Sequence, residues 1–160
     1  MDKLWAPWRK GYILNKAAKT CFICRIKASS QDAKHFILKR TLHSFAVLNI
    51  FPYNNGHVMA VPNRHVKGLE QLRDVELLDL IRLTNATVLR IRKVLKPHGM
   101  NLGINLGRAG GAGVPGHVHI HIVPRWTGDT NFMPVVSHVK VISESLKSVY
   151  KRLQWGHSKK

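Results

Sequence analysis

An α+β domain is predicted: an antiparallel sheet of about five strands, with one long central helix and a C-terminal helix. Three observations predict it. The order of periodic segments is strand, strand, helix, strand, strand, helix. The two-residue alternation at His117-Val118-His119-Ile120-His121-Ile122 fits a strand and not a helix. The length of 160 residues and a hydrophobic content of 44% suit one core-forming unit.

Residues 1–40 read as an N-terminal arm. Trp5, Trp8 and Tyr12 sit among basic residues, followed by the tight pair Cys21-Phe22-Ile23-Cys24 and a short apolar patch at Phe36-Ile37-Leu38. Residues 41–136 read as the core. Phe45 to Ile50 is a buried strand, Pro52-Tyr53-Asn54-Asn55-Gly56 supplies turn residues, and His57 to Pro62 returns as the second strand of a hairpin. Residues 74–96 form the long helix. Leu77, Ile81, Val88, Ile91 and Leu95 are its apolar stripe, Asp74 its N-cap, and Pro97-His98-Gly99 its end. Its Arg82, Arg90, Arg92 and Lys93 are expected to face solvent. A third strand at Met100 to Leu106 leads into a loop containing Gly110, Gly111, Gly113 and Gly116, and then into the histidine strand. Residues 137–160 add a short strand (Val139 to Ile142), a helix (Ser143 to Leu153) and a basic tail.

The charge of +18 is extreme. Residues 1–40 hold ten Lys or Arg against two acids, and residues 147–160 hold five against none. Such a field attracts polyanions: nucleotides, nucleic acid or anionic surfaces. It chooses none of them, and no nucleic-acid recognition motif accompanies it. No apolar run reaches the roughly 18 residues of a membrane span. The start of the chain, with an early acid and a proline, does not read as a signal peptide. A soluble cytoplasmic protein is the expectation. The two cysteines suit a metal half-site or a redox pair better than a disulfide framework.

In the histidine strand, His117, His119 and His121 share one face at spacings of roughly 6–7 Å, while Val118, Ile120 and Ile122 share the other. Imidazole serves near neutral pH as nucleophile, proton carrier or metal ligand. His35, His43, His98, His138 and His157 carry no comparable pattern and are expected at the surface.

The triad, together with Asn49, Gly56-His57-Val58, Val61-Pro62, Asn105-Leu106-Gly107 and Val123-Pro124-Arg125, resembles the histidine triad family of nucleotide hydrolases and transferases. The resemblance covers about residues 42–136. Tyr53-Asn54-x-Gly56-His57 and Arg125-Trp126-x-Gly128-Asp129-x-Asn131-Phe132 resemble the branch that contains diadenosine tetraphosphate phosphorylases. The resemblance implies the family fold, a homodimer, and cleavage of a dinucleoside polyphosphate without an organic cofactor. A nucleoside phosphoramidase or adenylyl-compound hydrolase is the alternative activity. A basic nucleic-acid-binding module with a vestigial triad is the alternative of another class.

Residue by residue, the resemblance makes His119 the nucleophile that forms a nucleotidyl-histidine, His121 a group that polarises a phosphate oxygen, and His57 the histidine that orients them. Asn49 faces the ribose, Val47 lines the base pocket, Asn105 lies near the α-phosphate, and the loop from Gly110 through Gly113 to Gly116 offers backbone amides. Many relatives carry Ser, Thr or Gln where this chain has Gly113 and Val114. Related proteins complete a Cys-x-x-Cys pair with two histidines, which implies a structural zinc on Cys21, Cys24, His65 and His117.

Overall fold

The structure is a computed structural model, and it describes residues 20–136 and 141–155. The elements in chain order are α1 (Phe22–Ala28), α2 (Asp32–His35), β1 (Ile37–Arg40), β2 (Ser44–Leu48), β3 (Val58–Pro62), α3 (Asp74–Leu95), β4 (Gly99–Ile104), β5 (Ile120–Arg125), α4 (Met133–Val136) and α5 (Leu146–Leu153). The five strands form one antiparallel sheet in the order β1-β2-β3-β5-β4. The α+β class, the strand number and the long helix agree with the sequence reading.

Strand alternation sorts the side chains onto two cores. Ala46, Leu48, Val58, Ala60, Ile120 and Ile122 face α3 and α5, meeting Leu80, Leu83, Ile91, Val149 and Leu153. Phe45, Val47, Met59 and Val61 face the other way and pack on Ile37 and on Ile23 and Ile26 of α1. Both faces of β2 and β3 are therefore buried, which explains why they read as unbroken apolar runs.

Two expectations are corrected. The fifth strand is β1, at one edge of the sheet, and not Val139 to Ile142. Val141 and Ile142 lie outside any strand, and residues 137–140 lie outside the described ones. Residues 1–19 of the expected arm lie outside the described ones, and residues 22–40 contribute α1, α2 and β1. The C-terminal helix begins at Leu146, where Ser145 accepts from the Ser148 N–H, and not at Ser143. Trp5, Trp8 and Tyr12, His138 and the basic tail from residue 156 lie outside the described residues.

The stripe on α3 also differs. Val88, Ile91 and Leu95 are buried as expected, but Leu77 is half-buried and Ile81 is 49% exposed. Leu80, Leu83, Thr84 and Thr87 fill the face instead. The threonines are at home there because each hydroxyl donates to a carbonyl one turn back, on Leu80 and Leu83, at 2.8 Å. A pattern that counts only aliphatic residues misses them. The helix starts at Asp74 with Arg73 as its N-cap, and Glu76 accepts the Arg73 N–H at 2.9 Å. Arg90 is not a free solvent-facing cation: it donates to the carbonyls of Arg152, Leu153 and Gln154 and closes the end of α5.

The β5 ladder begins only at Ile120. Its partner β3 ends at Pro62, which has no N–H to continue the pairing. The freed Pro62 carbonyl accepts from the His117 ring at 2.9 Å, and Val118 N–H donates to Val66 O at 2.7 Å. His117 and His119 thus stand just upstream of the regular strand.

Candidate functional site

Cys21, Cys24, His65 and His117 converge so that their ligand atoms all lie within 4.8 Å of one another. Cys21 is the N-cap of α1 and Cys24 lies in its first turn. The Cys24 Sγ is 3.3 Å from His65 Nδ1 and 3.6 Å from His117 Nδ1, and the Cys21 Sγ is 3.6 Å from His117 Nδ1. Tetrahedral zinc, with its usual bond lengths, requires sulfur–nitrogen separations of about 3.6 Å, so the cluster fits that ion. His117 is set for the role. Its Nε2 faces a carbonyl, which cannot donate, so the proton sits on Nε2 and the Nδ1 lone pair points at the sulfurs. The approach of His65 is fixed by its neighbour. Arg64 grips Glu76 at 2.9–3.1 Å, and those bonds with the Arg73 N–H hold the Glu76 carboxyl down at about 2. Four protein ligands would leave a bound ion no open position, the coordination that structural zinc sites have.

The other triad members are fixed by the same logic. His119 Nδ1 lies 2.9 Å from His117 O, so Nδ1 carries the proton and Nε2 keeps a lone pair. Burial lowers its pKa below that of a free imidazole, which favours the neutral ring. His57 Nδ1 receives the Tyr53 N–H at 3.1 Å and the Asn49 amide at 3.4 Å. The Asn49 orientation is itself set, because its Oδ1 accepts the Phe51 N–H at 2.9 Å. With Nδ1 accepting, His57 carries its proton on Nε2 and donates to His121 Nδ1 at 2.9 Å. His121 must then hold its proton on Nε2. Burial pushes His57 down to about 3, with His121 and His119 adding to the shift, and pushes His121 down to about 4.

Asn105 Nδ2 donates to Gly111 O at 3.4 Å and lies 3.5 Å from His121 Nε2. With His121 Nε2 protonated, two N–H groups face the same space, where an anionic oxygen could accept from both. The loop beside them is tightly wound. A Cβ at Gly110 would meet Leu106 O at 2.4 Å.

A pocket of about 410 Å³ opens at this point. Of the residues singled out in the sequence, Val47, Asn49, Gly113, His119 and His121 line it. Gly116 does not; it lies against the His65 ring beside the metal cluster. His57 and Asn105 stand behind or beside the lining. Sequence reasoning missed the walls given by Phe22, Arg25 and Ile26 of α1 and by Lys34 and His35 of α2. His35 was expected at the surface. The lining contains no carboxylate. Tyr53 was also missed as a site residue: its ring centroid is 4.5 Å from that of His57 and 5.3 Å from that of His121. Its place four residues before His57 was the available signal.

Comparisons with known proteins agree with this geometry. The HIT domain family matches residues 30–128. AP-4-A phosphorylase of Mycobacterium tuberculosis is 35% identical over 98% of this chain and 85% of its own. The asymmetrical bis(5'-nucleosyl)-tetraphosphatase of Schizosaccharomyces pombe is 36% identical over 71% of this chain and 63% of its own. A zinc-bound histidine triad family protein from Mycobacterium smegmatis shares the fold, with a TM-score of 0.68 at 23% identity over 86% of this chain and 93% of that one. The three strand histidines, their supporting residues and the sheet that carries them therefore place this chain in the HIT domain family.

Proposed function

We propose that the protein is a nucleotidyl-transferring enzyme that cleaves dinucleoside polyphosphates, with diadenosine tetraphosphate as its model substrate. The observation that carries this reading is the pair of fixed tautomers: an unprotonated His119 Nε2 beside a protonated His121 Nε2 at one pocket. The names of the mycobacterial and yeast relatives support the substrate class. His119 Nε2 attacks the α-phosphorus, a P–N bond forms, and the P–O bond to the departing ATP breaks. His121 N–H and the Asn105 amide stabilise the non-bridging oxygen on which charge develops. An oxygen of orthophosphate then attacks the nucleotidyl-histidine, His119 leaves, and ADP is released. Water in that place gives AMP. His57 orients His121, and Asn49 meets the ribose at the pocket edge while it holds His57. Val47 lines the base pocket with Phe22 and Ile26. Backbone groups around Gly113 take the place of the hydroxyl or amide other members carry, and Gly116 lets the loop close on His65.

The test is product analysis. Diadenosine tetraphosphate should yield ADP plus ATP only when phosphate is present, and His119→Ala should abolish this. AMP plus ATP without phosphate makes the enzyme a hydrolase. No cleavage in either case removes the reading.

The Cys21, Cys24, His65 and His117 cluster is read as a structural zinc site. Bound zinc supplies a fixed crosslink between α1 and the approach to β5, and no step of the chemistry passes through it. The chain's own residues do the rest: α1 walls the pocket, and His117 O holds the His119 proton. Reduced metal-binding thiols support a cytoplasmic location. No described helix is long and apolar enough to cross a membrane.

A homodimer is supported by β4. It forms the other edge of the sheet, and Leu102 lies on the α3 side yet is 52% exposed. Val75, Leu78, Ile81 and Leu89 run along the outer face of α3. A second copy paired along β4 would cover both surfaces.

A further inference from the structure

The turn between β2 and β3 makes bonds that a simple reversal of direction does not need. Tyr53 N–H reaches His57 Nδ1 at 3.1 Å, and the Tyr53 ring lies against both the His57 and the His121 rings. Asn54 is buried at 5% exposure and points the other way. Its amide donates to Pro124 O at 2.9 Å and to Asp129 Oδ2 at 2.6 Å. Asp129 is held in turn by Arg125 at 2.7 and 2.9 Å and by the Trp126 N–H at 3.1 Å. The turn is thus strapped to the segment leaving β5, the strand that carries His121. This gives a physical role to the sequence Arg125-Trp126-x-Gly128-Asp129, which the reaction itself does not use.

We propose that Tyr53 is a positioning residue for the His57–His121 pair, and that the Asn54–Asp129 strap keeps its N–H on His57 Nδ1. A neutral imidazole has two tautomers, and its partners decide between them. A fixed donor at His57 Nδ1 forces the proton to Nε2, and His57 then forces the proton of His121 to Nε2. If the turn shifts, only the longer Asn49 amide bond at 3.4 Å still holds His57 Nδ1, and the tautomers of each ring mix. A share of the His121 rings then presents a lone pair, in place of an N–H, to a phosphate oxygen. The tyrosine ring covers the pair on the pocket side and limits the access of water that could exchange for its N–H. The consequence for turnover rests on the function proposed above; the tautomer claim does not.

The test uses the full chain with 15N-labelled imidazoles, and NMR assigns the tautomers of His57 and His121 in the resting protein. Turnover of diadenosine tetraphosphate is measured beside it. Wild type should show one tautomer at each ring, with the proton on Nε2. Asn54→Ala should show mixed tautomers, with kcat down about 10- to 100-fold and KM within about twofold. If Asn54→Ala does not fold, Asp129→Asn replaces it with the same expectation. A single Nε2–H tautomer in the strap variant overturns the proposal, as does a mixture already present in wild type. Mixed tautomers with unchanged kcat overturn it as well. If wild type cleaves no dinucleoside polyphosphate, the proposed function fails while the NMR result still decides the positioning claim.

Discussion

Gly56→Ala is a demanding test of how the site is built. Gly56 ends the turn that delivers His57, at φ +71°. An L side chain in the left-handed region costs about 1–2 kcal/mol. The new Cβ would also lie 2.4 Å from Leu95 Cδ1 and 3.4 Å from Pro124 Cγ. Leu95 is buried at the C-terminal end of α3, so it yields only by disturbing the core, a cost of about 1–3 kcal/mol. Together the substitution should destabilise the fold by about 2–5 kcal/mol. At roughly 2–4 °C per kcal/mol for a domain of this size, Tm falls by about 10 °C. Urea denaturation and thermal scans of the wild type and the variant measure this directly. A loss below about 1 kcal/mol would refute the reasoning, because the turn would then be loose enough to admit a side chain.

Further outcomes follow from the same geometry. His57 and His121 are held well below their ordinary pKa, at about 3 and about 4, so the unfolded chain takes up their protons first as pH falls. Stability should be full above about pH 7 and drain away as pH falls from there to about pH 3, which denaturation midpoints across that range will check. Metal analysis should find one zinc per chain, lost in Cys24→Ser; in that variant, nucleotide binding should weaken, because α1 walls the pocket. Leu102→Glu should convert a dimer into a monomer in light scattering without changing the secondary structure. Ile91→Ala, at a fully buried position on α3, should cost about 2–5 kcal/mol in urea.

Much of the architecture was legible because the histidine strand alternates cleanly and because the hairpin and the long helix carry strong signals. Cys21 and Cys24 read as a half-site by their spacing, but His65 and His117 are far from them in the chain, and only the family resemblance joined the four. What the sequence hid has physical causes. β1 is four residues long and follows a helical turn capped by Phe36 in the left-handed conformation, φ 57°, which no propensity rule places there. Thr84 and Thr87 enter the core because their hydroxyls bond their own helix. Ile81 is apolar yet exposed, on the face that the proposed dimer would cover. Tyr53 acts partly through its backbone N–H, a group that carries no sequence signature. Arg25 and Lys34 belong to no motif in the sequence, and only the packing of α1 and α2 brings them to the pocket.

The central claim is a covalent nucleotidyl group on His119. The most direct measurement is the intact mass of the protein after brief exposure to diadenosine tetraphosphate without phosphate, followed by peptide mapping. A gain of one AMP unit, located on His119 and discharged as ADP on adding phosphate, is the predicted result. Turnover that proceeds with no such adduct, or that survives in His119→Ala, would contradict it.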